Sequence, residues 1–370
     1  MYWNKVLYMI KKDISILGGQ VKCSIKNHQE ISRYKNAVVF CVDDGYLSYA
    51  LFAAQQIISK HENREFDVCI CLPNITKVPE YFIDLDIRFV EIEITGIDNL
   101  PVDHLSLAAY SRVFLPQIFS NDYEYIVYLD ADVYIRRPFF NELMKVVDGF
   151  EEDFCIAAAP DITELNRQSR TKNGITPLVS QYLETYHEAS HLYRNSGVLV
   201  FNVSNCIKNN LIEKIFSVAF DTHANLRCHD QSAINLAMKG KMPLFPFEYN
   251  WQLHETNYRL INKLNPYIIH FISTNKPWVS NYVHTQPYIK EYDDFLKRYF
   301  RNCLQPLKTP AQIRFEKPKY PKMDREAFSR NMAILRKPLS DKIRDAKFKM
   351  YRNNNVEKAI KKINSNVLSS

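Results

Sequence analysis

The sequence predicts an α/β protein with a mostly parallel sheet covered by helices, and three observations support this fold class. The 370 residues are 46% hydrophobic, 24% charged and 13% aromatic, which is typical of a globular chain with a substantial core. Short apolar runs alternate along the chain with longer amphipathic stretches. Several apolar runs end in an acid or an amide, and parallel sheets bind ligands beyond the carboxyl ends of their strands. We therefore expect a functional edge at those ends.

The alternation begins at residue 37 and supplies most of the sheet. The apolar run 37–44, AVVFCVDD, predicts a buried strand that ends in Asp43 and Asp44, and residues 46–61 have the apolar spacing of a helix. Two strands, a helix and another buried strand are then predicted at 66–73, 87–94, 105–119 and 125–130. This order is typical of a parallel sheet.

Four later elements carry polar residues at their ends or as interruptions. They are strands at 154–161 and 195–203, a helix at 229–240 and a strand at 267–278. The polar residues are Asp161, Asn195, Asp230, Gln231, His270 and Lys276. The polar stretch 162–193 is predicted to be a long loop or small helical excursion that shapes the site. A plain helix N-cap accounts equally well for Asp230, and a hydrogen-bonded core position for His270, so both alternatives stay open here.

The stretch 127–139, VYLDADVYIRRPF, places Asp130 and Asp132 one residue apart at the end of a buried strand. Acids often end strands by satisfying turn backbone groups, so this pair is weak evidence alone. Together with the His270 imidazole it forms an O,O,N set that suits Mn²⁺ or Mg²⁺ holding a diphosphate. Lys276 and Arg112 could supply further positive charge. Such a site would replace the Gly-rich phosphate loop, which the sequence lacks.

The cysteines and the charge distribution indicate the cellular compartment and the possible binding partners. The eight cysteines are scattered and suggest buried free thiols in a reducing compartment. Because the N-terminus lacks a signal-peptide pattern and no 18 apolar residues run together, we expect a cytoplasmic protein. Residues 301–370 hold 18 Lys or Arg against 6 Asp or Glu, about +12, interleaved with aromatics. A nucleic-acid arm, an exposed helix and a membrane anchor all fit this tail.

The chain resembles glycosyltransferase family 8, the family of bacterial lipopolysaccharide galactosyl- and glucosyltransferases and of the glycogenins. The resemblance spans roughly residues 36–285. Seven blocks carry it in the family's order: VVFCVDDGY, AAYSRVFLP, YIVYLDADVYI, AAAPD, RNSGVLVFNV, HDQSAIN and HFISTNKPW. It implies a GT-A fold, a UDP-sugar donor, Mn²⁺ or Mg²⁺, and transfer with retention of anomeric configuration.

The resemblance also implies a role for each matching residue. Asp130, Asp132 and His270 would bind the metal that bridges the UDP diphosphate, and Lys276 would stabilise the departing UDP. The remaining expectations concern the donor. Asp43 would contact the uracil edge, Tyr46 would stack on the uracil, and Arg112 would contact the sugar and the phosphate. Asp161 and Asn195 would line the sugar pocket, Asp230 would bind sugar hydroxyls, and Gln231 would lie nearest the reacting carbon. With an amide at 231 instead of a carboxylate nucleophile, we expect front-face attack rather than double displacement.

Three departures from the family pattern limit what is carried over. Ser273 stands where the family usually has Gly, and Gly45 where several relatives carry Asn. Residues 1–35 and 286–370 have no matching blocks. We therefore expect an N-terminal extension at 1–35, a catalytic domain at 36–285, and a helical, basic and aromatic C-terminal region at 286–370.

The expected acceptor is a glycan or glycolipid such as lipopolysaccharide. Members acting on lipid-linked acceptors are thought to rest on the inner leaflet through such tails, so residues 301–370 are expected to contact anionic lipid. Nucleic acid is not expected as a partner. Two other classes stay open: a phosphatase that uses an Asp-x-Asp loop, and a non-catalytic carbohydrate- or nucleic-acid-binding protein with a basic arm. Self-glucosylation is also conceivable with 23 Tyr.

Overall fold

The structure is a computed structural model. It describes residues 7–8, 12–29, 32–97, 100, 108–162, 193–221, 226, 228–254, 257–272, 276–301, 307, 357–361 and 364. The predicted excursion 162–193 lies almost wholly outside the described residues, as do Ser273 and most of the basic tail.

A large mixed sheet forms the centre of the fold. The strands β1 to β12 are Leu7–Tyr8, Lys12–Ile16, Val21–Gln29, Asn36–Cys41, Asp67–Leu72, Arg88–Thr95, Tyr125–Leu129, Val133–Ile135, Ile156–Pro160, Arg194–Asn202, Trp251–Gln252 and Ile268–His270. In the large sheet the strands lie in the order β1-β3-β6-β5-β4-β7-β10-β9, and β2 pairs with β3. The four central strands β6, β5, β4 and β7 run parallel, while the strands on both sides pair antiparallel. A small second sheet has the order β11-β12-β8.

Helices cover both faces of the sheet, which explains the apolar runs. Along β4, Val38 and Phe40 pack into one core cluster and Val39 and Cys41 into the other, as the period-2 geometry of a strand requires. The α-helices are Leu47–Lys60, Glu80–Ile83, Ala108–Ser111, Leu115–Ile118, Phe140–Val147, Val203–Lys208, Leu211–Phe220, His229–Ala237, Ile261–Leu264 and Gln286–Tyr299. Short 3₁₀ helices lie at Leu17–Gly19, Ile75–Lys77, Arg112–Phe114, Phe247–Tyr249 and Tyr258–Leu260. The predicted α/β fold with a parallel centre is confirmed.

Two predicted elements differ from the structure. The helix predicted at 105–119 is divided from residue 108 onward into α, 3₁₀ and α segments, with Pro116 at the start of the last one, where its missing N–H costs little. The strand predicted at 267–278 is only Ile268–His270 long. The chain leaves the sheet there, and residues 277–279 form a turn that begins at a proline.

The N-terminal region adds three strands to the sheet, of which β1 pairs with β3. β2 and β3 form an antiparallel pair, and β3 also pairs with β6. Val21, Cys23 and Ile25 alternate along β3 and are all buried. The edge of the sheet beside β6 is therefore covered by residues that precede the first predicted strand.

Part of the C-terminal region packs onto the same core. Residues 357–361 are helical, and Ala359 and Ile360 are 5% and 1% exposed within the larger core cluster. Lys263 lies 2.6 Å from Glu357, and Asn364 donates a hydrogen bond of 2.8 Å to Glu248. No helix within the described ranges is long and apolar enough to cross a membrane. The predicted buried thiols are confirmed at Cys23, Cys41, Cys69, Cys71, Cys155 and Cys206.

Candidate active site

The register of the small sheet brings the Asp-x-Asp pair to the histidine. Asp130 and Asp132 lie in the turn between β7 and β8, and β8 pairs antiparallel with β12. In this pairing Val133, the residue after Asp132, lies opposite His270. Residues far apart in the sequence therefore meet because of two short strands.

Asp130, Asp132 and His270 form a compact group of potential metal ligands. Nε2 of His270 is 3.2 Å from Oδ1 of Asp132 and 3.7 Å from Oδ2 of Asp130. The three potential ligand atoms lie within 4.8 Å of one another. Oδ1 of Asp132 is buried and has no hydrogen-bond partner among the described residues. A buried carboxylate oxygen left in this state is costly, and a divalent cation between it and the imidazole would satisfy it. The residues present therefore fit a metal site.

Lys276 contacts the second oxygen of the Asp132 carboxylate. Its Nζ contacts Oδ2 of Asp132 and also donates to the Phe271 carbonyl. Burial opposes ionisation of Asp132, but the positive charge of Lys276 outweighs burial and lowers the pKa of this carboxyl well below its usual range. Asp132 is therefore a carboxylate at neutral pH.

Arg112 lies between two acidic side chains, Asp130 and Asp230. Its Nη1 is 2.9 Å from Oδ1 of Asp130, and its guanidinium lies 4.7 Å from the centre of the Tyr128 ring. Its Nε is 3.1 Å from Oδ2 of Asp230, although this N–H donates to the Ala109 carbonyl at 2.8 Å. Burial opposes the charge of Arg112, yet the two carboxylates raise its pKa. Burial also raises the pKa of Asp230, more than Arg112 lowers it. Asp230 is thus held by a cation and not exposed as a simple helix cap.

The predicted sugar-pocket residues form one hydrogen-bonded group. Oδ2 of Asp161 accepts from Nδ2 of Asn195 at 3.0 Å and from Nε2 of Gln231 at 3.1 Å. Oε1 of Gln231 accepts from the backbone N–H of Ser196 at 3.0 Å. Both ends of the Gln231 amide are therefore fixed. The group lies where β9, β10 and the helix at 229–237 meet.

One cavity joins most of these residues. It has a volume of about 620 Å³, and ten of the predicted site residues line it: Tyr46, Arg112, Asp130, Asp132, Asp161, Asn195, Asp230, Gln231, His270 and Lys276. Asp43 lines a neighbouring cavity of about 250 Å³ instead, with Lys26, Cys71 and Ser111. The two cavities are linked along the chain, because Oδ1 of Asp43 accepts from the backbone N–H of Tyr46 at 3.1 Å. The structure thus brings ten of the eleven predicted site residues to one cavity, while the role of each residue stays a prediction.

Some residues of the site were not predicted. Trp278 lines the cavity and stacks on Tyr49, with 3.9 Å between the ring centres and 17° between the rings. Asn250 and Gln252 are 0% and 2% exposed beside the site. Their signal was two polar residues two positions apart, one on each side of Trp251 in the stretch 247–252, a spacing that puts both side chains on one side of an extended chain.

Comparison with known proteins places this geometry among sugar transferases. The family described as Glycosyl transferase family 8 matches residues 37–282. Lipopolysaccharide 1,2-glucosyltransferase of Escherichia coli (strain K12) is 24% identical over 260 residues, 65% of this chain and 72% of the relative. General stress protein A of Bacillus subtilis (strain 168) is 24% identical over 238 residues, 59% of this chain and 73% of the relative.

Solved structures show the same fold. The galactosyltransferase LgtC, solved in complex with donor and acceptor sugar analogs, aligns with a TM-score of 0.55 at 20% identity and covers 72% of this chain and 100% of its own. The WbbM bifunctional glycosyltransferase aligns with a TM-score of 0.53 at 20% identity, over 73% of this chain and 50% of its own. At these sequence identities, the structural similarity establishes the fold alone.

Proposed function

Since this chain belongs to glycosyl transferase family 8 and has the GT-A fold of its glycosyltransferases, we propose that it transfers a hexose from a UDP-sugar to a glycan or glycolipid acceptor, with Mn²⁺ or Mg²⁺ bound and with retention of configuration. Membership of this family makes the chain a glycosyltransferase. It decides against the phosphatase and the non-catalytic binding protein that the sequence left open. UDP-galactose and UDP-glucose are the donors we favour.

The convergence of Asp130, Asp132 and His270 on the 620 Å³ cavity carries the proposal. These three residues would hold the metal, which when bound supplies positive charge against the leaving diphosphate. Lys276, already beside Asp132, would add a second positive charge to the same phosphate group. Asp130 is fixed from the other side by Arg112 and by the Tyr128 hydroxyl, which donates to its Oδ1 at 2.5 Å. The two carboxylates are therefore oriented before a donor arrives.

The uridine would occupy the end of the cavity near Tyr46. This ring is 41% exposed and packs edge-on against Tyr49, with 5.8 Å between ring centres, so one of its faces is available to a base. Asp43, in the adjoining cavity, would accept a hydrogen bond from the uracil edge. Both roles follow from the family resemblance and are supported by these positions.

The donor sugar would lie against Asp161, Asn195, Asp230 and Gln231. Retention by double displacement needs a carboxylate that is available as a nucleophile. In the structure Asp230 is paired with Arg112, and Asp161 accepts hydrogen bonds from two amides. We therefore favour front-face attack, in which the acceptor hydroxyl enters on the leaving-group side and gives its proton to the UDP phosphate. Detection of a covalent sugar on Asp230 by mass spectrometry of proteolytic peptides would contradict this route.

The acceptor is proposed to be a surface glycan or a glycolipid such as lipopolysaccharide, as the name of the Escherichia coli relative suggests. The basic tail would then hold the enzyme on the cytoplasmic face of an anionic membrane. Because Ala359 and Ile360 are part of the core, deleting 301–370 would also disturb the fold. Replacing Lys317, Lys319 and Lys322 by Gln is a cleaner test.

The triple variant should sediment less with vesicles that contain phosphatidylserine than the parent protein does. A control with three exposed lysines outside 301–370 changed to Gln, at 35, 145 and 290, removes the same charge and should sediment like the parent. Equal sedimentation of all three proteins would contradict membrane contact through this tail.

Donor choice and catalysis can be tested with a panel of UDP-sugars. Slow hydrolysis to UDP is expected with Mn²⁺ present, with UDP-glucose or UDP-galactose as the best donor, because transferases leak sugar to water when no acceptor is bound. A protein that releases no UDP from any sugar, with or without a metal, would contradict the proposed donor. Intact mass after incubation with UDP-glucose tests self-glucosylation in the same samples.

A further inference from the structure

Asn250 lies between the metal group and the sugar pocket and is 0% exposed. One end of its side chain is 3.1 Å from Nδ1 of His270, and the other is 2.9 Å from Oδ1 of Asn195. Its backbone N–H donates to the Phe247 carbonyl at 3.0 Å, which anchors it just before β11. No role in the proposed chemistry has been given to it so far.

The orientation of the amides follows from a backbone group that can only donate. The backbone N–H of Gly197 is 3.0 Å from the Asn195 side chain, so the atom that it meets must be the amide oxygen. Asn250 reaches that same oxygen and must therefore present its NH₂ group there. The other end of Asn250, which faces His270, is then its oxygen. A second backbone donor agrees: the N–H of Ser196 fixes the Gln231 oxygen, and both amides then donate to Asp161.

The same orientation decides the state of the imidazole. Because Asn250 offers only an oxygen to Nδ1 of His270, this nitrogen must carry the hydrogen. A neutral ring then has a lone pair on Nε2, which faces Oδ1 of Asp132 at 3.2 Å. Both atoms are then acceptors, so no hydrogen bond can form between them, whereas a metal ion could bind to both.

We infer that Asn250 is a positioning residue that holds His270 with its hydrogen on Nδ1 and, through Asn195, links the metal ligands to the sugar pocket. The inference rests on the proposed function only where it concerns the metal and the sugar. The hydrogen bonds run in one direction, from His270 to Asn250 to Asn195 to Asp161. Among the described residues, each end of the Asn250 side chain has one partner, so a substitution at 250 breaks the link at a defined place.

Two substitutions test the two ends of the Asn250 side chain separately. Asn250→Ala removes the acceptor, so the hydrogen should move to Nε2 of His270, where it can be donated to Asp132. Asn250→Asp keeps an oxygen opposite Nδ1 and should keep the hydrogen there, but it loses the NH₂ group that donates to Asn195. Asn257→Ala is the matched control, because Asn257 is 2% exposed and its side chain, among the described residues, bonds to the backbone of His254 and Gln252.

The first measurement needs neither metal nor donor. Imidazole ¹⁵N chemical shifts distinguish the two neutral forms of the ring, and the signal of His270 can be assigned by its loss in His270→Gln. In the full-length, metal-free protein in alkaline solution, the parent, Asn250→Asp and Asn257→Ala should carry the hydrogen on Nδ1, and Asn250→Ala on Nε2. A parent ring with its hydrogen on Nε2, or an unchanged spectrum in Asn250→Ala, would overturn the inference.

The second measurement separates this inference from the proposed function. Electron paramagnetic resonance of free Mn²⁺ should show affinity reduced about 10- to 100-fold in Asn250→Ala and changed only a few-fold in Asn250→Asp. The Asp variant should instead raise the KM for the UDP-sugar, because Asn195 is no longer held. A merely structural role would affect both variants and the control alike, and that result would also overturn the inference. A parent that binds no Mn²⁺ would contradict the proposed metal site while the ¹⁵N result still decides the role of Asn250.

Discussion

The sharpest prediction concerns Gly197, whose lack of a side chain makes room for His270. Gly197 lies in β10 and has no positive φ, so its backbone could accept alanine without strain. A Cβ there would lie 2.2 Å from Cε1 and 2.6 Å from Nδ1 of His270, and 3.0 Å from Oδ2 of Asp130. Gly197→Ala should therefore displace the imidazole from the metal group.

The size of the displacement follows from these distances. Carbon atoms in contact are separated by about 3.5 Å or more, so the ring must retreat by about 1.3 Å. Metal-ligand bonds tolerate deviations of about 0.2 Å, which means that the bond to His270 would be lost. We expect Mn²⁺ affinity to fall at least 10- to 100-fold, the range known for weaker disturbances around a metal. Overpacking should also lower the free energy of unfolding by about 1–3 kcal/mol.

The assay is Mn²⁺ titration followed by electron paramagnetic resonance, with urea unfolding of the same samples. Gly149→Ala is the control, since Gly149 is exposed and the nearest atom to a Cβ there, the Val146 carbonyl oxygen, is 3.4 Å away. The stability loss of Gly197→Ala should nearly vanish when His270 is also changed to Ala, because the clash is then gone. If Gly197→Ala binds Mn²⁺ as tightly as the parent, the placement of the ring against β10 is wrong.

Two further substitutions test the charges and the C-terminal packing. Arg112→Met should lower the free energy of unfolding at pH 7 by about 3–5 kcal/mol, because the buried Asp230 and the half-buried Asp130 are left without their cation. Burial raises the pKa of Asp230, so the stability loss caused by Arg112→Met should shrink as the pH falls through that raised pKa and Asp230 becomes neutral. Urea unfolding at about pH 7 and pH 4 measures this change. A stability loss that is the same at both pH values would contradict the prediction. Ile360→Asp should cost about 2–4 kcal/mol in the same assay because its side chain is 1% exposed. Lys358→Asp, at an exposed position, should change stability by less than about 0.5 kcal/mol, and equal losses would mean that this segment does not dock.

The parts of the fold that depend on local pattern could be predicted from the sequence. The apolar runs at β4, β5, β7 and β10 are buried on both faces, and this burial is what an all-apolar strand encodes. The polar residues that follow such runs, including Asp130 and Asp161, then had to lie at the edge. The alternation of β3 was also readable, but it does not tell which strand will be its partner.

The parts that depend on register and orientation could not be predicted in the same way. Nothing local says that Val133 pairs with His270, and that pairing alone brings the imidazole to Asp132. The orientation of Asn250 depends on backbone donors from β10, which no spacing within residues 247–252 reveals. The space at Gly197 is likewise visible only when the neighbouring strand is in place.

Asp130, Asp132 and His270 are proposed to form the metal site of a sugar-nucleotide transferase. The most direct test is UDP release from UDP-glucose and UDP-galactose by metal-free protein to which Mn²⁺ is added stepwise, compared between the parent and Asp132→Asn. The parent should become active as Mn²⁺ is added, and Asp132→Asn should lose about 100-fold or more of that activity. Asp153→Asn, an exposed control, should behave like the parent. An Asp132→Asn variant as active as the parent would contradict the account.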